Sequence, residues 1–426
     1  MKKILSLLVI LTSFFTSNAQ DVKYARYLID SLCSPSFYGR AYTNNGANKA
    51  ADFIASEFRY LNLQKFNSSY YQPYYLSINS FSKTIEAEIG KTKLVAGTQF
   101  MVSLSSPSVN NDFKLFRVDS TNAKTKSDLD KIFKKNLKNK VVLIDRQNIT
   151  DKEVLNIFNL LRNKSFFNAA GYVFINDGKL SWGTSDGLNV NDYFRINVLR
   201  SALPSKLKKI KLNIEAEYLD NYQTNNVVAY IKGKVFPDSF FVFTAHFDHL
   251  GQMGKDVYFP GANDNASGSA MLIDIAKYYS DSINQPDYSI VFALVSGEES
   301  GLLGSQYLAE NPLFTLHKIK FLINLDMLGT GSEGITIVNA TKFEKHYKIF
   351  EAINKEKGYL KTIAQRGESC NSDHCPFYQR GVPSVFIYAM GSEFTEYHNV
   401  YDVPGKLPLT KYNEIFKLLI DFVKYK

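Results

Sequence analysis

Five short polar clusters carry the side chains that could do chemistry. They are Ala245-His246-Phe247-Asp248-His249-Leu250-Gly251, Gly261-Ala262-Asn263-Asp264-Asn265-Ala266-Ser267-Gly268, Ser296-Gly297-Glu298-Glu299-Ser300-Gly301, Asn324-Leu325-Asp326-Met327 and Glu393-Phe394-Thr395-Glu396-Tyr397-His398-Asn399. Two imidazoles with several carboxylates suit zinc, which accepts nitrogen and carboxylate oxygen with little geometric demand. A carboxylate such as Asp264 has two oxygens and can serve two ions at once. Glu298 and Glu299 point in different directions if the backbone there is extended, so one can hold metal while the other stays free as a base for a water. Two zinc ions ~3.5–4 Å apart polarise a carbonyl and ease deprotonation of that water. Each cluster alone has an ordinary reading: a His at a strand end is commonly hydrogen-bonded structure, and a Glu pair is commonly a solvated turn. Their joint appearance argues for a site. His317 and His346 lack such surroundings and read as surface or packing residues.

The elements that must assemble these clusters are legible around them. Buried-strand candidates are Phe240–Ala245, Ser289–Val295, Lys320–Leu325 and Ser384–Tyr388, alternating with helical stretches at Ser267–Ser280, Leu302–Glu310, Phe343–Lys357 and Thr410–Lys424. Strands apolar on both faces and separated by helices predict an α/β sheet covered on both sides. Most of the clusters sit at or just beyond strand ends, and open α/β sheets gather ligands at the carboxyl ends of their strands. Upstream, Ala47, Ala51, Ile54, Ala55, Phe58 and Leu61 recur at helical spacing over Asn45–Leu61. Between about Glu86 and Asn221 the character changes. Short strand-like pieces, Lys140–Ile144 and Gly171–Ile175, bracket a helix-like stretch around Lys152–Asn168, and no His or acid cluster appears. This part reads as an accessory unit.

At 426 residues the chain is long enough for two units or one with a large insertion. Lys2 and Lys3, an apolar run from Ile4 to about Phe15, and Ser17-Asn18-Ala19 form the pattern of an export leader cleaved near Ala19. The run is too short for a spanning helix, so the expected location is periplasmic or extracellular, with no stable membrane insertion. Loss of Lys2 and Lys3 takes the net charge from +9 to +7. The basic residues are scattered, with no aromatic-interleaved patch, which argues against a nucleic-acid partner. Of three cysteines, Cys370 and Cys375 are a plausible local disulfide, with a reduced pair nearly as well supported, and Cys33 is left over.

The ordered set AHFDHLG, GANDNASG, SGEESGLLGS, NLDM, SDHCPF and EYHNVYDVP resembles the secreted zinc aminopeptidases of clan MH, whose wider family includes glutamate carboxypeptidases, glutaminyl cyclases and the transferrin receptor. The likeness covers about Asp21–Ile85 and Asn221–Lys426, and the opening Leu32-Cys33-Ser34-Pro35-Ser36-Phe37-Tyr38-Gly39-Arg40 is similar to the family's start. It implies a mixed, mostly parallel sheet with helices on both faces, built from residues 20–85 and 221–426. A smaller β-rich insertion at 86–220 looks like a protease-associated domain, either a lid or an inert addition. The resemblance further implies two zinc ions, one held by His246, Asp264 and Asp326 and the other by Asp264, Glu299 and His398. Glu298 would be the general base, and Asp248 would orient the His246 ring. Asp373 and His374 would lie near the substrate cleft, and the Asp264–Asn265 peptide would be cis. His249 falls at a position that varies in the family.

The expected activity is hydrolysis of the N-terminal bond of peptides, with the free amino group set against Glu298 and Asp326. The alternatives on the same scaffold are a one-zinc glutaminyl cyclase, a carboxypeptidase, and a non-catalytic binding protein. The last sits poorly with a complete set of ligands and base.

Overall fold

The computed structural model describes residues 22–162 and 164–425; the leader expected at residues 1–19 lies outside them. Eight strands form the sheet that matters for the site. In chain order they are β1 (Tyr71–Ser80), β2 (Glu217–Ile231), β3 (Phe236–His246), β4 (Tyr288–Val295), β5 (Ile319–Leu325), β6 (Gly334–Val338), β7 (Ile363–Gln365) and β8 (Ser384–Met390). Their order across the sheet is β1-β2-β4-β3-β5-β8-β6-β7. The central strands β4, β3, β5 and β8 run parallel, so their carboxyl ends share one edge. The flanks include antiparallel pairs: β1 with β2, β2 with β4, and β8 with β6.

Alternation along the central strands explains why both faces are covered. Phe243, Ala245, Phe292, Leu294, Phe321 and Ile323 enter one apolar cluster, beneath helices Val22–Leu32, Gly46–Tyr60, Gly268–Ser280, Glu344–Lys357 and Tyr412–Lys424. Val242, Val291, Ala293 and Leu322 point the other way, into a second cluster with Leu308 and Phe377. A strand sandwiched this way reads as a continuous apolar run, and each expected strand lies within the observed one. The helices expected around this sheet agree to within two residues, and none of the described helices is long and apolar enough to cross a membrane. Strands β1, β2, β6 and β7 and helix Val22–Leu32 carried no sequence expectation. In the first two, polar and apolar residues mix without a clear run.

The second sheet is formed by residues 85–214, with strand order Thr92–Leu94, Ile85–Ile89, Lys209–Ile214, Val109–Val118, Leu137–Ile144, Ala169–Asn176, Phe194–Leu199, Phe100–Val102. Four adjacent strands in its middle are parallel, and two helices, Lys126–Phe133 and Lys152–Leu160, cover one face through Leu129, Ile132, Val154 and Phe158. Asp151 begins the second helix by accepting from the amides of Glu153 and Val154. It stops at Leu160, short of the expected Asn168, because the chain must turn back so that Phe167 can enter the apolar layer. The other face is not solvated. Val141, Leu143, Val173 and Ile175 share one cluster with Tyr74, Leu76, Phe81, Leu250 and Phe259, so the two sheets are joined by a common core. Pairing of Ser80 with Glu217 brings the chain's exit from the first sheet beside its return.

Candidate metal centre

Each cluster reaches the shared strand edge by a different device. His246 is the last residue of β3, and Ser269 Oγ donates to its carbonyl at 2.8 Å. Asp326 follows β5 directly, its amide donating to the Ile387 carbonyl at 3.2 Å. Glu298 and Glu299 follow β4 across a tight turn at Gly297. That residue has φ +76, and a Cβ there would stand 2.5 Å from Tyr74 Oη, so the turn demands glycine. His398 comes from the segment after β8 and itself has φ 53.

Asp264 lies in an irregular turn ahead of helix Gly268–Ser280, and the Asp264–Asn265 peptide is cis. The polar residues around it explain the motif. Asn265 Nδ2 donates to the Leu325 carbonyl at 3.0 Å and its Oδ1 accepts from the amide of Met327 at 3.2 Å, bracketing Asp326. Ser267 Oγ accepts from the Leu328 amide and Asn263 Oδ1 from the Gly329 amide. Asp402 binds from the other side, its carboxylate accepting from the amides of Asn263 at 2.8 Å and Asp264 at 3.1 Å. Arg40, fully buried, donates to the carbonyls of Phe247, Leu32, Pro260 and Gly261. It ties the first helix to the loop that precedes Asp264.

The expected residues converge. His246 Nε2 lies 3.4 Å from Asp264 Oδ1 and 3.4 Å from Asp326 Oδ1. His398 Nε2 lies 3.0 Å from Asp264 Oδ2 and 3.2 Å from Glu299 Oε2. The two oxygens of Asp264 thus face two separate sets of donors. Asp326 Oδ1 is buried without a hydrogen-bond partner, while its Oδ2 accepts from Ser372 Oγ at 3.1 Å. A lone, buried carboxylate oxygen aimed at an imidazole and a second carboxylate fits a cation-binding role. A further grouping, His249 with Asp264 and Glu299, is also close enough to hold a metal. Yet His249 Nδ1 lies 2.8 Å from Glu299 Oε1, the oxygen turned away from His398. That contact fits a hydrogen bond fixing Glu299 and leaves Oε2 to the His398 side.

The charges confirm how crowded the site is. Burial alone would lower both imidazoles. The surrounding carboxylates outweigh it, raising His246 well above its ordinary value through Asp326, Glu298 and Asp264, and His398 to about 11 through Glu299 and Asp264. Burial would raise Glu299, but His398 and His249 hold it below the usual carboxylate range. Glu298 is raised well above that range by burial, with His246 opposing and Glu299, Asp373 and Asp326 adding to it. Glu299 thus faces His398 directly, while Glu298 feels the charge of His246 most among its charged neighbours.

Asp248 stands where an orienting residue should, but through different atoms. His246 Nδ1 is 3.2 Å from the Asp248 carbonyl and 3.7 Å from its carboxylate. That carboxylate instead accepts from the amides of Glu298 and Glu299 at 3.3 and 3.4 Å. Burial, partly offset by His246, pushes it up to about 7. Asp373 and His374 are fully buried. His374 Nε2 lies 2.8 Å from the Ser369 carbonyl, and burial lowers its ring to about 4. Burial, opposed by His246, raises Asp373 to about 6. Cys370 and Cys375 are disulfide-bonded next to this pair, and Cys33 is buried and unbridged.

Sequence reasoning passed over Ser372, Asp402, Arg40, Tyr397, Trp182 and Thr184. The first two stand inside motifs already noted, SDHCPF and EYHNVYDVP. Tyr397, half exposed, stacks on the His398 ring at 3.8 Å between centroids.

Residues 226–423 match the family described as Peptidase family M28. Among curated relatives, a probable zinc metalloprotease of Leptosphaeria maculans is 35% identical over 238 residues, 47% of this chain and 53% of that protein. A probable leucine aminopeptidase of Arthroderma otae is 30% identical over 224 residues, 49% and 59% respectively. A probable zinc metalloprotease of Pyricularia oryzae is 37% identical over 114 residues, 26% of this chain and 22% of that one. The chain therefore spans between about a fifth and three-fifths of the length of these relatives. Solved structures share the fold across nearly the whole chain. A zinc aminopeptidase from Bacillus subtilis superposes with a TM-score of 0.69 at 20% identity, covering 95% of this chain and 94% of its own. An aminopeptidase from Aneurinibacillus sp. strain AM-1 gives 0.65 at 20% identity, covering 96% and 94%.

Proposed function

We propose that this protein is a zinc-dependent exopeptidase that hydrolyses the N-terminal peptide bond of peptides. One zinc ion would be held by His246, Asp264 and Asp326 and a second by Asp264, Glu299 and His398. The observation that carries this reading is the division of Asp264 between two donor sets, each with one imidazole and one further carboxylate. The M28 match and the relatives described as a probable zinc metalloprotease and a probable leucine aminopeptidase support it. Zinc bound there would polarise the substrate carbonyl and ease ionisation of water.

The chain's own residues supply the rest. Glu298 adjoins Glu299 yet belongs to neither donor set, so it is the base that takes a proton from the attacking water and passes it to the departing amine. Asp248 holds the amides of both glutamates and thereby sets the turn that separates base from ligand. His249 keeps one oxygen of Glu299 engaged. Acidic groups around the centre, Glu298 and Asp326 among them, provide a counter-charge for the substrate's α-ammonium group.

In the same reading, residues 86–220 form an inserted unit of protease-associated type, supported by the return of the chain at Ser80 and Glu217. Export through the leader at residues 1–19 belongs with it, and the Cys370–Cys375 bridge suits an oxidising compartment.

The test is to purify the chain, count its zinc, and assay aminoacyl chromogenic substrates with and without chelator. Two zinc ions and chelator-sensitive release of the first residue are expected. A zinc-loaded protein inert on aminoacyl and N-blocked peptides alike would sink the reading. One zinc ion with cyclisation of N-terminal glutamine would replace it by the cyclase.

A further inference from the structure

The residues that precede Glu299 and His398 leave their strands before the ligands are reached, so the sheet ladder does not fix either backbone. Part of what fixes them comes from the second sheet. Between strands Ala169–Asn176 and Phe194–Leu199 the chain makes an excursion to the metal centre and back. At its tip the Trp182 amide donates to the His398 carbonyl at 2.8 Å. Two residues on, the Thr184 hydroxyl donates to the Glu299 carbonyl at 2.9 Å. Both residues are buried, at 4% exposure each, so neither bond competes with bulk water. Lys179, at the start of the excursion, pairs with Glu396, two residues before His398.

The excursion is anchored rather than loose. The Trp182 indole N–H donates to the Val102 carbonyl at 2.7 Å, and its ring stacks on Phe259 at 4.8 Å between centroids. Val102 belongs to the edge strand of the second sheet and Phe259 to the loop leading to Asp264. Phe259, Trp182, Val102 and Phe100 lie in the core that the two sheets share. By contrast, the backbone of His246 is tied to Ser269 and that of Asp326 to Ile387, all within the first sheet and its helices.

We infer that residues 179–186 are a strut through which the second sheet positions one metal subsite, that of Glu299 and His398, and that Thr184 and Trp182 are its positioning residues. The inference rests on the proposed two-zinc reading. Its physical basis is that a carbonyl and the side chain of the same residue turn together. The strut holds one carbonyl on each of the two ligands, and so sets where their side-chain donors point. Outer partners of metal ligands typically change metal affinity by about 10- to 100-fold when removed.

Thr184→Val removes the hydroxyl and keeps the shape. Zinc titration against a competing chelator should show the more tightly bound ion unchanged and the other weakened about tenfold. Thr184→Ser should restore it. In a Glu299→Gln background, Thr184→Val should add no further weakening to the remaining ion, because the affected subsite is already damaged. Trp182→Phe keeps every backbone bond and loses the indole anchor; it reads the same subsite should Thr184→Val fail to fold, with a smaller loss in the same direction. Equal weakening of both ions, or two ions bound at wild-type affinity in Thr184→Val and Trp182→Phe, would overturn the strut. An unsubstituted protein that takes up no zinc would instead overturn the two-zinc reading, and the strut with it.

Discussion

The two halves of the candidate centre are built by different means. His246 and Asp326 sit at the ends of adjacent parallel strands, and their surroundings continue the sheet. Thr244 Oγ1 donates to Asn324 Oδ1 at 2.8 Å, Asn324 Nδ2 to Ser372 Oγ at 2.7 Å, and Ser372 Oγ to Asp326 Oδ2 at 3.1 Å. Glu299 and His398 stand on turns, with backbones held by Asp248, Trp182 and Thr184, and with His398 still 16% exposed. Asp264 belongs to both halves. The difference teaches that one fold can bring two sets of candidate ligands together by different means, one at strand ends and one on turns. Strand ends supply the first, and loops borrowed from elsewhere tune the second.

The comparison can be broken most severely at the shared residue. Asp264→Ala should abolish binding of both ions and reduce turnover by more than about 10⁴-fold, because neither half keeps its full donor set. Metal analysis alongside kinetics checks it, and retention of one tight ion would mean that the halves are independent. Glu298→Gln should keep both ions and lose about 10²–10⁴-fold in kcat, since it removes only the base. A loss of zinc in that variant would place Glu298 among the ligands instead.

Acid sharpens the comparison next. In the zinc-free protein both imidazoles hold protons through neutral pH, because their carboxylate neighbours raise them. Each zinc must displace one such proton, so lowering the pH favours the proton and opposes the metal. Isothermal titration between pH 8 and pH 6 should show each affinity falling about tenfold per unit, with protons released on binding. Flat affinity over that range would contradict the raised imidazoles. The smallest effect should come from His249→Leu, which removes the contact to Glu299 Oε1. It should weaken only the ion on the Glu299 and His398 side, by about tenfold. Complete loss of that ion, with the other retained, would instead make His249 a ligand.

The strands of the central sheet were legible because burial on both faces leaves an unbroken apolar run, and the candidate site residues because their motifs stand at the ends of those runs. What escaped notice was anything whose role depends on distant partners. Thr184 and Trp182 lie more than a hundred residues from the carbonyls they bind, in a stretch with no clustered chemistry of its own. His249 could be seen but not interpreted, since only geometry distinguishes a ligand from a hydrogen-bond partner of one. Strands β1 and β2 were missed for another reason: each is long and buried over only part of its length, so the apolar signal is confined to Tyr74, Leu76 and Ile78 in the one and to Val227, Val228 and Ala229 in the other. The second sheet carries two helices over a parallel middle, of which only the one beginning at Lys152 was expected from the sequence.

Arg40 has a consequence in time as well as in space. Its guanidinium waits for carbonyls at Phe247, Pro260 and Gly261, some two hundred residues later in synthesis. Asp402, which grips the Asp264 turn from the other side, arrives later still. A chain released from the ribosome in pieces would therefore have no metal centre to fill. Because contacts of such long range close late in folding, zinc uptake should mark the finished molecule, and the rate at which zinc enters should report the final step of assembly.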